Sequence, residues 1–408
     1  MKPTTIHKIP GGITAPRGFL AAGLHAGIKK PSILDLALVA SEQPGPVAGL
    51  FTTNQVAAAP VVLDRLHLKQ GQGIGRAFIV NSGNANACTG AQGLADAKEM
   101  AKLTAQSLGV PVRSILVGST GVIGQFLPMT AIRDGVPRLV QRLRRTGGHE
   151  AAKAILTTDL KAKEVALQAK IAGRTVTVGG MAKGSGMIHP NMATMLAYLT
   201  TDAVIAQPTL QRALRAAADL SFNCISVDGD TSTNDTVLCL ANGLAGNAPL
   251  REGTNELASF QAMLNEACRS LAMHICGDGE GVTKIVQVLV KGAKSVADAK
   301  AVADTVGTSC LVKTAFFGED ANWGRIMAAV GRAGVRIKPE RIGLAIEGVP
   351  IVKQGVSLGR DAERAIEKLF RRRKFRIVVD LGIGSAQGSL WTTDLSYEYV
   401  RINASYRS

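Results

Sequence analysis

Five clusters of glycine and polar residues are the places in this chain where chemistry is most easily imagined. They border apolar runs, at residues 81–86, 118–124, 228–235, 276–281 and 318–324. Each cluster alone is typical of a turn. Five of them in one chain favour loops gathered around a polar site on a rigid scaffold.

A sixth stretch, residues 178–200, differs from both flanks. It is rich in glycine and runs straight into an apolar segment that begins at Thr194. Such a junction is either the plain entry of a loop into a strand or a backbone held for chemistry.

Several common signatures of chemistry are absent from the sequence. Lys183 and the two residues after it reverse the order of glycine and lysine in a phosphate-binding loop. The stretch from Asp228 begins like a calcium loop, but it lacks the loop glycine and its twelfth residue is Cys239 rather than Glu. The six histidines lack the spacing of metal ligands, so we expect no metal. His189 is predicted to make a structural hydrogen bond rather than to act in catalysis.

Taken together, these residues resemble the ornithine acetyltransferase family, also called the arginine biosynthesis bifunctional proteins. The resemblance runs from residue 13 to the C-terminus. The matching stretches include residues 183–196, 227–236, 313–325 and 399–403. Motifs of this length and number are highly specific.

The resemblance implies that the precursor cuts itself between Ala193 and Thr194. A threonine hydroxyl is a weak nucleophile until a base takes its proton. Cleavage would free an α-amino group on the same residue, with a reference pKa of about 7.7–8.0, so that Thr194 could serve as its own general base. The alternative reading is that Thr194 only starts a strand.

The resemblance also implies the other residues of the site. The oxyanion hole is placed at Thr120 and Gly121, where a hydroxyl and a backbone N–H would hold the negative oxygen of a tetrahedral intermediate. Substrate contacts carry over to the following residues: Thr157, Lys183, Thr194, Glu280, Asn403 and Ser408. Charge complementarity suggests that Glu280 meets a substrate ammonium and that Lys183 meets a carboxylate or steadies the oxyanion. Asn403 and Ser408 have a structural alternative, in which they only finish an edge strand.

The implied reaction is a ping-pong transfer of acetyl from N²-acetyl-ornithine to glutamate through an acetyl ester of Thr194. No cofactor is implied. Some members of the family also accept acetyl-coenzyme A as a donor, and nothing in this sequence separates the two types.

The implied fold is α/β (α+β): a layered α-β-β-α sandwich of the N-terminal-nucleophile type with a smaller C-terminal α/β unit. Residues 1–193 would form one fragment and 194–408 the other. Within the second fragment, 194–283 would complete the sandwich and about 284–408 would form the C-terminal unit. The family usually assembles as a heterotetramer with two copies of each fragment.

The sequence departs from the family pattern at two places. The C-terminus carries Ser405 where an acidic residue is usual and ends in Ser408 rather than threonine, which keeps a hydroxyl but alters the local charge. Gln125 and Phe126 replace the smaller residues that often follow the oxyanion glycine.

Two other functions are compatible with parts of the sequence. An amidohydrolase or aminopeptidase with an N-terminal threonine would use the same Thr194 chemistry and pass the acyl group to water. A nucleic-acid-binding protein is suggested by the net charge of +16. The basic residues are mostly scattered, however, and no recognition element accompanies them, so we expect no nucleic-acid partner.

Composition sets the broad class of the protein. A chain of 408 residues with 46% hydrophobic and 19% charged residues has material for a real core and is not disordered. Six cysteines without a CxxC pair or secretion signal predict a cytoplasmic protein with free buried thiols. No apolar run approaches the ~20 residues that span a bilayer, so we expect no membrane association.

Helices and strands that would position these loops are mixed throughout the chain, which predicts an α/β protein with several mixed or antiparallel strands rather than a strict βαβ series. Short apolar runs predict buried strands at 77–81 and 114–117, and the helix between them is expected to stop at Gly109. Further helices are predicted at 209–221, 255–273 and 296–306, the last behind a Ser295 N-cap. Further strands are predicted at 284–290, 341–347, 375–381 and 396–402. The last strand would deliver Asn403 to the site.

Overall fold

A computed structural model of the chain describes residues 5–189 and 195–405. The strands within these residues are β1 (His7–Lys8), β2 (Phe19–Leu24), β3 (Leu36–Phe51), β4 (Ile74–Asn84), β5 (Ile115–Val122), β6 (Lys163–Ile171), β7 (Arg174–Lys183), β8 (Leu196–Thr201), β9 (Thr236–Ala241), β10 (Ile285–Ala293), β11 (Gly343–Ile346), β12 (Val349–Lys353), β13 (Val356–Ser357), β14 (Lys374–Asp380) and β15 (Ala386–Thr393). The helices are α1 (Ala59–Gln70), α2 (Gly90–Leu108), α3 (Met129–Gln141), α4 (Gly148–Ala154), α5 (Gln207–Asp219), α6 (Asn255–Gly277), α7 (Val296–Gly307), α8 (Cys310–Phe317), α9 (Trp323–Gly331), α10 (Arg360–Phe370) and α11 (Tyr397–Ser405).

The first nine strands form one hydrogen-bonded sheet that folds back on itself. Its order is β1-β6-β7-β8-β9-β3-β4-β5, with β2 also paired to β3. The bend lies within β3, whose first half pairs with β2 and β4 and whose second half pairs with β9. Gly45 permits this close approach, because a Cβ there would lie 1.8 Å from the carbonyl oxygen of Ala241.

The two halves of this sheet pack face to face. Their shared core joins Val39 and Phe78 of one half to Tyr198 and Leu238 of the other, and the rings of Phe78 and Tyr198 are 5.4 Å apart. Helices α1, α2 and α3 cover the outer face of one half, while α5 and α6 cover the other. The predicted α-β-β-α sandwich is therefore confirmed.

A second sheet of six strands, in the order β13-β12-β11-β14-β10-β15, follows in the C-terminal part of the chain. Its pairs are antiparallel except β10 with β14. Helices α7 to α10 contribute to its separate hydrophobic core, which includes Val302, Phe316, Val330 and Phe370.

Most of the predicted elements are confirmed with small shifts of their ends. Gly109 ends α2 in the left-handed conformation with φ 66°, and Ser295 caps α7 by accepting from the Asp298 N–H. The buried free thiols are confirmed at Cys239, Cys268 and Cys276. Cys88 and Cys310 are also free but lie exposed.

The strand predicted at 396–402 is wrong, because this segment forms helix α11. Ser396 caps the helix by accepting from the Tyr399 N–H at 3.2 Å, and Glu398 pairs with Arg401 at helical spacing. These local interactions satisfy the backbone where the period-two pattern of side chains suggested a sheet.

None of the helices in the described ranges has both the length and the apolar character needed to cross a bilayer.

The packing of α6 on the first sheet leads to a stability prediction. Leu271 of α6 is fully buried in the core beneath β6 and β7, so Leu271→Ala should lower the free energy of unfolding by about 2–5 kcal/mol. Leu220→Ala, at an exposed leucine, is the matched control and should stay within about 0.5 kcal/mol of wild type. Urea denaturation measures both. Equal stability of the two variants would contradict this packing.

Candidate active site

A single cavity of about 210 Å³ collects six of the residues expected at the site. These are Thr120, Gly121, Thr157, Lys183, Glu280 and Asn403. They come from five different parts of the chain: the end of β5, the turn after α4, the end of β7, the loop after α6, and α11. Ala193, Thr194 and Ser408 lie outside the described residues.

Gly121 is required by the close pairing of β4 and β5. Its φ is 134°, and a Cβ there would lie 2.3 Å from the carbonyl carbon of Gly83 and 2.4 Å from the nitrogen of Asn84. A side chain would therefore collide with the backbone of β4. The predicted oxyanion position is one that only glycine can occupy.

Thr120 and Lys183 meet inside the cavity. Lys183 is buried at the end of β7, and its Nζ donates to Thr120 Oγ1 at 3.3 Å. The hydroxyl of Thr120 accepts this bond and keeps its own hydrogen for an acceptor inside the cavity. Burial lowers the pKa of Lys183, while the carboxylate of Asp159 at 3.8 Å raises it.

The opposite charge in the cavity comes from Glu280. Its carboxylate accepts from Asn403 Nδ2 at 2.8 Å, and its backbone N–H donates to the carbonyl of Ser185 at 3.0 Å. Gly186 leaves room for this carboxylate, because a Cβ there would lie 2.4 Å from Glu280 Oε2. The helix α11 thus supports Glu280 directly, although a strand was expected to deliver Asn403.

Asp228 and Tyr399 also line the cavity, and neither was on the list expected from the sequence. Asp228 accepts from the N–H groups of Met187 and Ile188 and from the hydroxyl of Tyr399 at 3.2 Å. Burial raises the pKa of Asp228, and the two backbone N–H groups partly offset this. The spacing of four residues between Tyr399 and Asn403 is the signal that could have found the pair, because it places both on one face of a helix.

Asn234 joins the loop after Asp228 to the oxyanion strands. Its Nδ2 donates to the carbonyl of Ala85 at 2.6 Å and to that of Ser119 at 2.9 Å. The residue therefore fixes the distance between β9, which follows this loop, and the ends of β4 and β5.

The chain is anchored on both sides of residues 190–194. On the near side, Ile188 accepts from the N–H of Val227 at 2.8 Å, and His189 lies 3.3 Å from Ser226 Oγ. The predicted structural hydrogen bond of His189 is thus present. On the far side, Met195 accepts from the N–H of Thr236 at 3.0 Å.

A buried carboxyl group lies beside the second anchor. Asp235 is almost fully buried, and burial raises its pKa well above the usual range. The N–H groups of Met195 and Ser232 and the hydroxyl of Thr52 act on this pKa in the opposite direction. None of the described donors reaches ordinary hydrogen-bond geometry with its two oxygens.

The arrangement suits the chemistry of a small zwitterion. Hydroxyl and ammonium donors at Thr120 and Lys183 can meet a developing oxyanion or a carboxylate, while Glu280 can meet an ammonium group. In the part of the chain that the structure describes, no three His, Cys, Asp or Glu side chains come together as a metal site.

Because Gly121 lies so close to the backbone of β4, adding one methyl group there should strongly lower the stability of the protein. Gly121→Ala should lower the free energy of unfolding by about 3 kcal/mol or more, since it adds backbone overlap to an unfavourable φ. Gly124→Ala is the matched control: its φ is also positive, at 79°, but nothing lies within 4 Å of a Cβ there. It should lose only about 1–2 kcal/mol. Thermal unfolding of both variants decides this, and equal losses would argue against the close contact.

Comparison with known proteins identifies the family. The model of the ArgJ family matches residues 20–408. The arginine biosynthesis bifunctional protein ArgJ of Geobacter sulfurreducens is 50% identical over 392 residues, covering 96% of this chain and 99% of the relative. The relative of the same name from Synechococcus is 49% identical over 407 residues, covering 98% of each chain. A crystal structure of ornithine acetyltransferase from Mycobacterium tuberculosis, complexed with ornithine, is 44% identical and covers 46% of this chain and 99% of its own, with a TM-score of 0.42. On the family match and the identities of the Geobacter and Synechococcus relatives, the chain belongs to the ArgJ family.

Proposed function

We propose that this chain, an N-acyltransferase of arginine biosynthesis like its family, moves acetyl from N²-acetyl-ornithine to glutamate through an acetyl ester of Thr194. The observation that carries the proposal is the cavity in which Thr120, Gly121 and Lys183 meet Glu280 and Asn403. Ornithine and glutamate, the two amines that exchange the acetyl group, both present an α-amino acid head, so one small pocket with one buried cation and one buried carboxylate suits each in turn.

The nucleophile arises by self-cleavage. The hydroxyl of Thr194 attacks the carbonyl carbon of Ala193, and the peptide C–N bond breaks as the ester C–O bond forms. Water then hydrolyses this ester, leaving a carboxylate on Ala193 and a free α-amino group on Thr194. That amino group takes the hydroxyl proton in the later transfer reaction.

The transfer itself has two half-reactions. The hydroxyl oxygen of Thr194 attacks the acetyl carbonyl, and the amide C–N bond of the donor breaks. The leaving nitrogen of ornithine takes the proton that the α-amino group of Thr194 had received from the hydroxyl. The amine of glutamate then attacks the ester carbonyl, so that the new amide bond forms, the ester C–O bond breaks and the hydroxyl of Thr194 is restored. The oxyanion of each tetrahedral intermediate is held by the hydroxyl of Thr120 and the N–H of Gly121.

Sheet pairing supports the view that both fragments stay together after cleavage. Strand β7 precedes the proposed bond and β8 follows it, yet the two pair antiparallel from Val178–Lys183 to Leu196–Thr201. Strand β9 of the second fragment pairs in turn with β3 of the first. Strands β8 and β9 of the second fragment thus lie between β7 and β3 of the first. We further propose that the protein assembles with two copies of each fragment.

The proposal needs no cofactor or metal. Acetyl-coenzyme A remains a candidate second donor, and we propose it only as a co-substrate to be assayed. The competing function is hydrolysis, in which water instead of glutamate accepts the acetyl group.

Self-cleavage and transfer are tested together. The purified protein should show two masses, for residues 1–193 and 194–408. It should convert acetyl-ornithine and glutamate to ornithine and N-acetyl-glutamate and release little acetate when glutamate is omitted. Thr194→Ala should remain one full-length chain without transfer activity, because it has neither the hydroxyl nor the new amino group. Thr209→Ala, on α5 and outside the cavity, should behave as wild type.

Two results would overturn parts of this scheme. Release of acetate at the same rate without glutamate would favour the hydrolase. Cleavage of Thr194→Ala at the same bond would remove Thr194 as the agent of cleavage.

The oxyanion hole is tested at Thr120. Thr120→Val keeps the shape of the side chain and removes the hydroxyl, so kcat should fall by ~10²-fold or more with a smaller change in KM. Thr120→Ser keeps a hydroxyl donor and should retain most of the activity. Steady-state kinetics on both cleaved variants provide the comparison, and an unchanged kcat for the valine variant would place the oxyanion hole elsewhere.

A further inference from the structure

Four buried side chains of alternating charge run from the oxyanion residue to the loop of Glu280. Lys183 Nζ lies 3.8 Å from Asp159, and Lys163 Nζ donates at 2.6 Å to both Asp159 and Asp278. All four side chains are at most 9% exposed. We call Lys183, Asp159, Lys163 and Asp278 the charge row.

The row connects the two ends of the cavity through backbone contacts. The carbonyl of Asp278 accepts from the hydroxyl of Ser185 at 2.7 Å, and the carbonyl of Ser185 accepts from the N–H of Glu280 at 3.0 Å. At the other end, Asp159 accepts from the N–H of Gly184 at 2.7 Å. Gly184 is thus held by the carboxylate of Asp159, and Ser185 is held by the carbonyl of Asp278.

Asp159 is the member that stands next to Lys183. It also accepts from the N–H of Thr157 at 3.1 Å, so it holds another residue of the cavity. Burial alone would raise the pKa of Asp159, but the charges of Lys183 and Lys163 and the hydrogen bonds it accepts lower it to about 2. Asp159 is therefore a fixed negative charge across the physiological pH range.

We propose that Asp159 is a positioning residue that keeps Lys183 charged and directed at Thr120 Oγ1, and that Lys163 and Asp278 lock this charge to the loop of Glu280. The inference rests on the proposed transfer reaction for its kinetic consequences. A protonated Lys183 can only donate, so Thr120 must accept from it and turn its own hydrogen toward the oxyanion. A neutral amine could also accept, and the direction of the Thr120 hydroxyl would then be lost.

Each charged neighbour of Lys183 shifts its pKa in a defined direction. The charges of Asp159 and Glu280 raise the pKa of Lys183, while that of Lys163 lowers it. Lys29 is a further cation near Lys183. Burial is the main cause that lowers the pKa of Lys29 to about 8, and the charge of Lys183 adds to this lowering. Removal of Asp159 and removal of Lys163 should therefore move the titration of Lys183 in opposite directions.

The first variant removes the counter-charge. Asp159→Asn keeps the shape of the side chain but removes its charge, so the fall of kcat on the alkaline side of its pH profile should move to lower pH. At pH 8, kcat should be reduced about 10-fold or more. The second, Lys163→Met with Asp278→Asn, removes one positive and one negative charge together and retains Asp159 beside Lys183. Its alkaline limb should move to higher pH.

A titration that does not depend on activity accompanies the kinetics. Lysine labelled with ¹³C at Cε is followed by NMR in the cleaved protein, and the signal of Lys183 is assigned by its loss in Lys183→Arg. Its midpoint should fall in Asp159→Asn and rise in the double variant. Thermal unfolding and complete self-cleavage serve as folding controls. If Asp159→Asn does not accumulate, Asp159→Ser is measured in the same way, because it also removes the negative charge beside Lys183.

The two hypotheses fail in different ways. If wild type transfers acetyl but Lys183 titrates at the same pH in all three proteins, the charge row has no such role and the proposal is wrong. If the limb moves in the same direction in both variants, the sign of the coupling is wrong and the proposal also fails. If wild type transfers no acetyl while the NMR midpoints shift as expected, the proposed function fails and the positioning role of Asp159 stands.

Discussion

The structure depends on one strand that belongs to both layers of the sandwich. Strand β3 contributes its first half to the layer with β2 and β4 and its second half to the layer with β9. Because the backbone hydrogen bonds of both layers pass through it, the relative position of the layers is set within a single strand. The ends of β5 and β7, one from each layer, are thereby brought to the same cavity, where Thr120 meets Lys183.

Burial of charge is the second constraint on the site. A lone ammonium or carboxylate is expensive to remove from water, so each buried charge here stands beside a charge of opposite sign or a hydrogen-bond donor. Lys183 faces Asp159, and Glu280 accepts from Asn403. This requirement explains why the loop after α6 and the helix α11 are both drawn to the same cavity. Asp235 departs from the pattern, because burial favours its neutral form instead.

The C-terminal segment illustrates the limits of reading periodicity alone. The alternation of Tyr397, Tyr399 and Arg401 with other residues fits a strand, but the spacing of Tyr399 and Asn403 fits a helix equally well. The side chain of Ser396 and the pair of Glu398 with Arg401 decide in favour of the helix. Such local bonds, rather than pairing with a strand, thus determine the conformation of this short segment.

The sequence by itself determined the order of most helices and strands, and the resemblance of its motifs to a known family indicated six of the residues that line the cavity. It could do so because motifs and hydrophobic periodicity are properties of neighbouring residues. Only the tertiary structure decided that Asp228 and Tyr399 line the same cavity, that Gly121 lies against the backbone of β4, and that Lys163 joins Asp159 to Asp278. These contacts join residues far apart in the chain, up to 171 positions for Tyr399 and Asp228. Their energies depend on burial and on the sign of nearby charges, which no local pattern records.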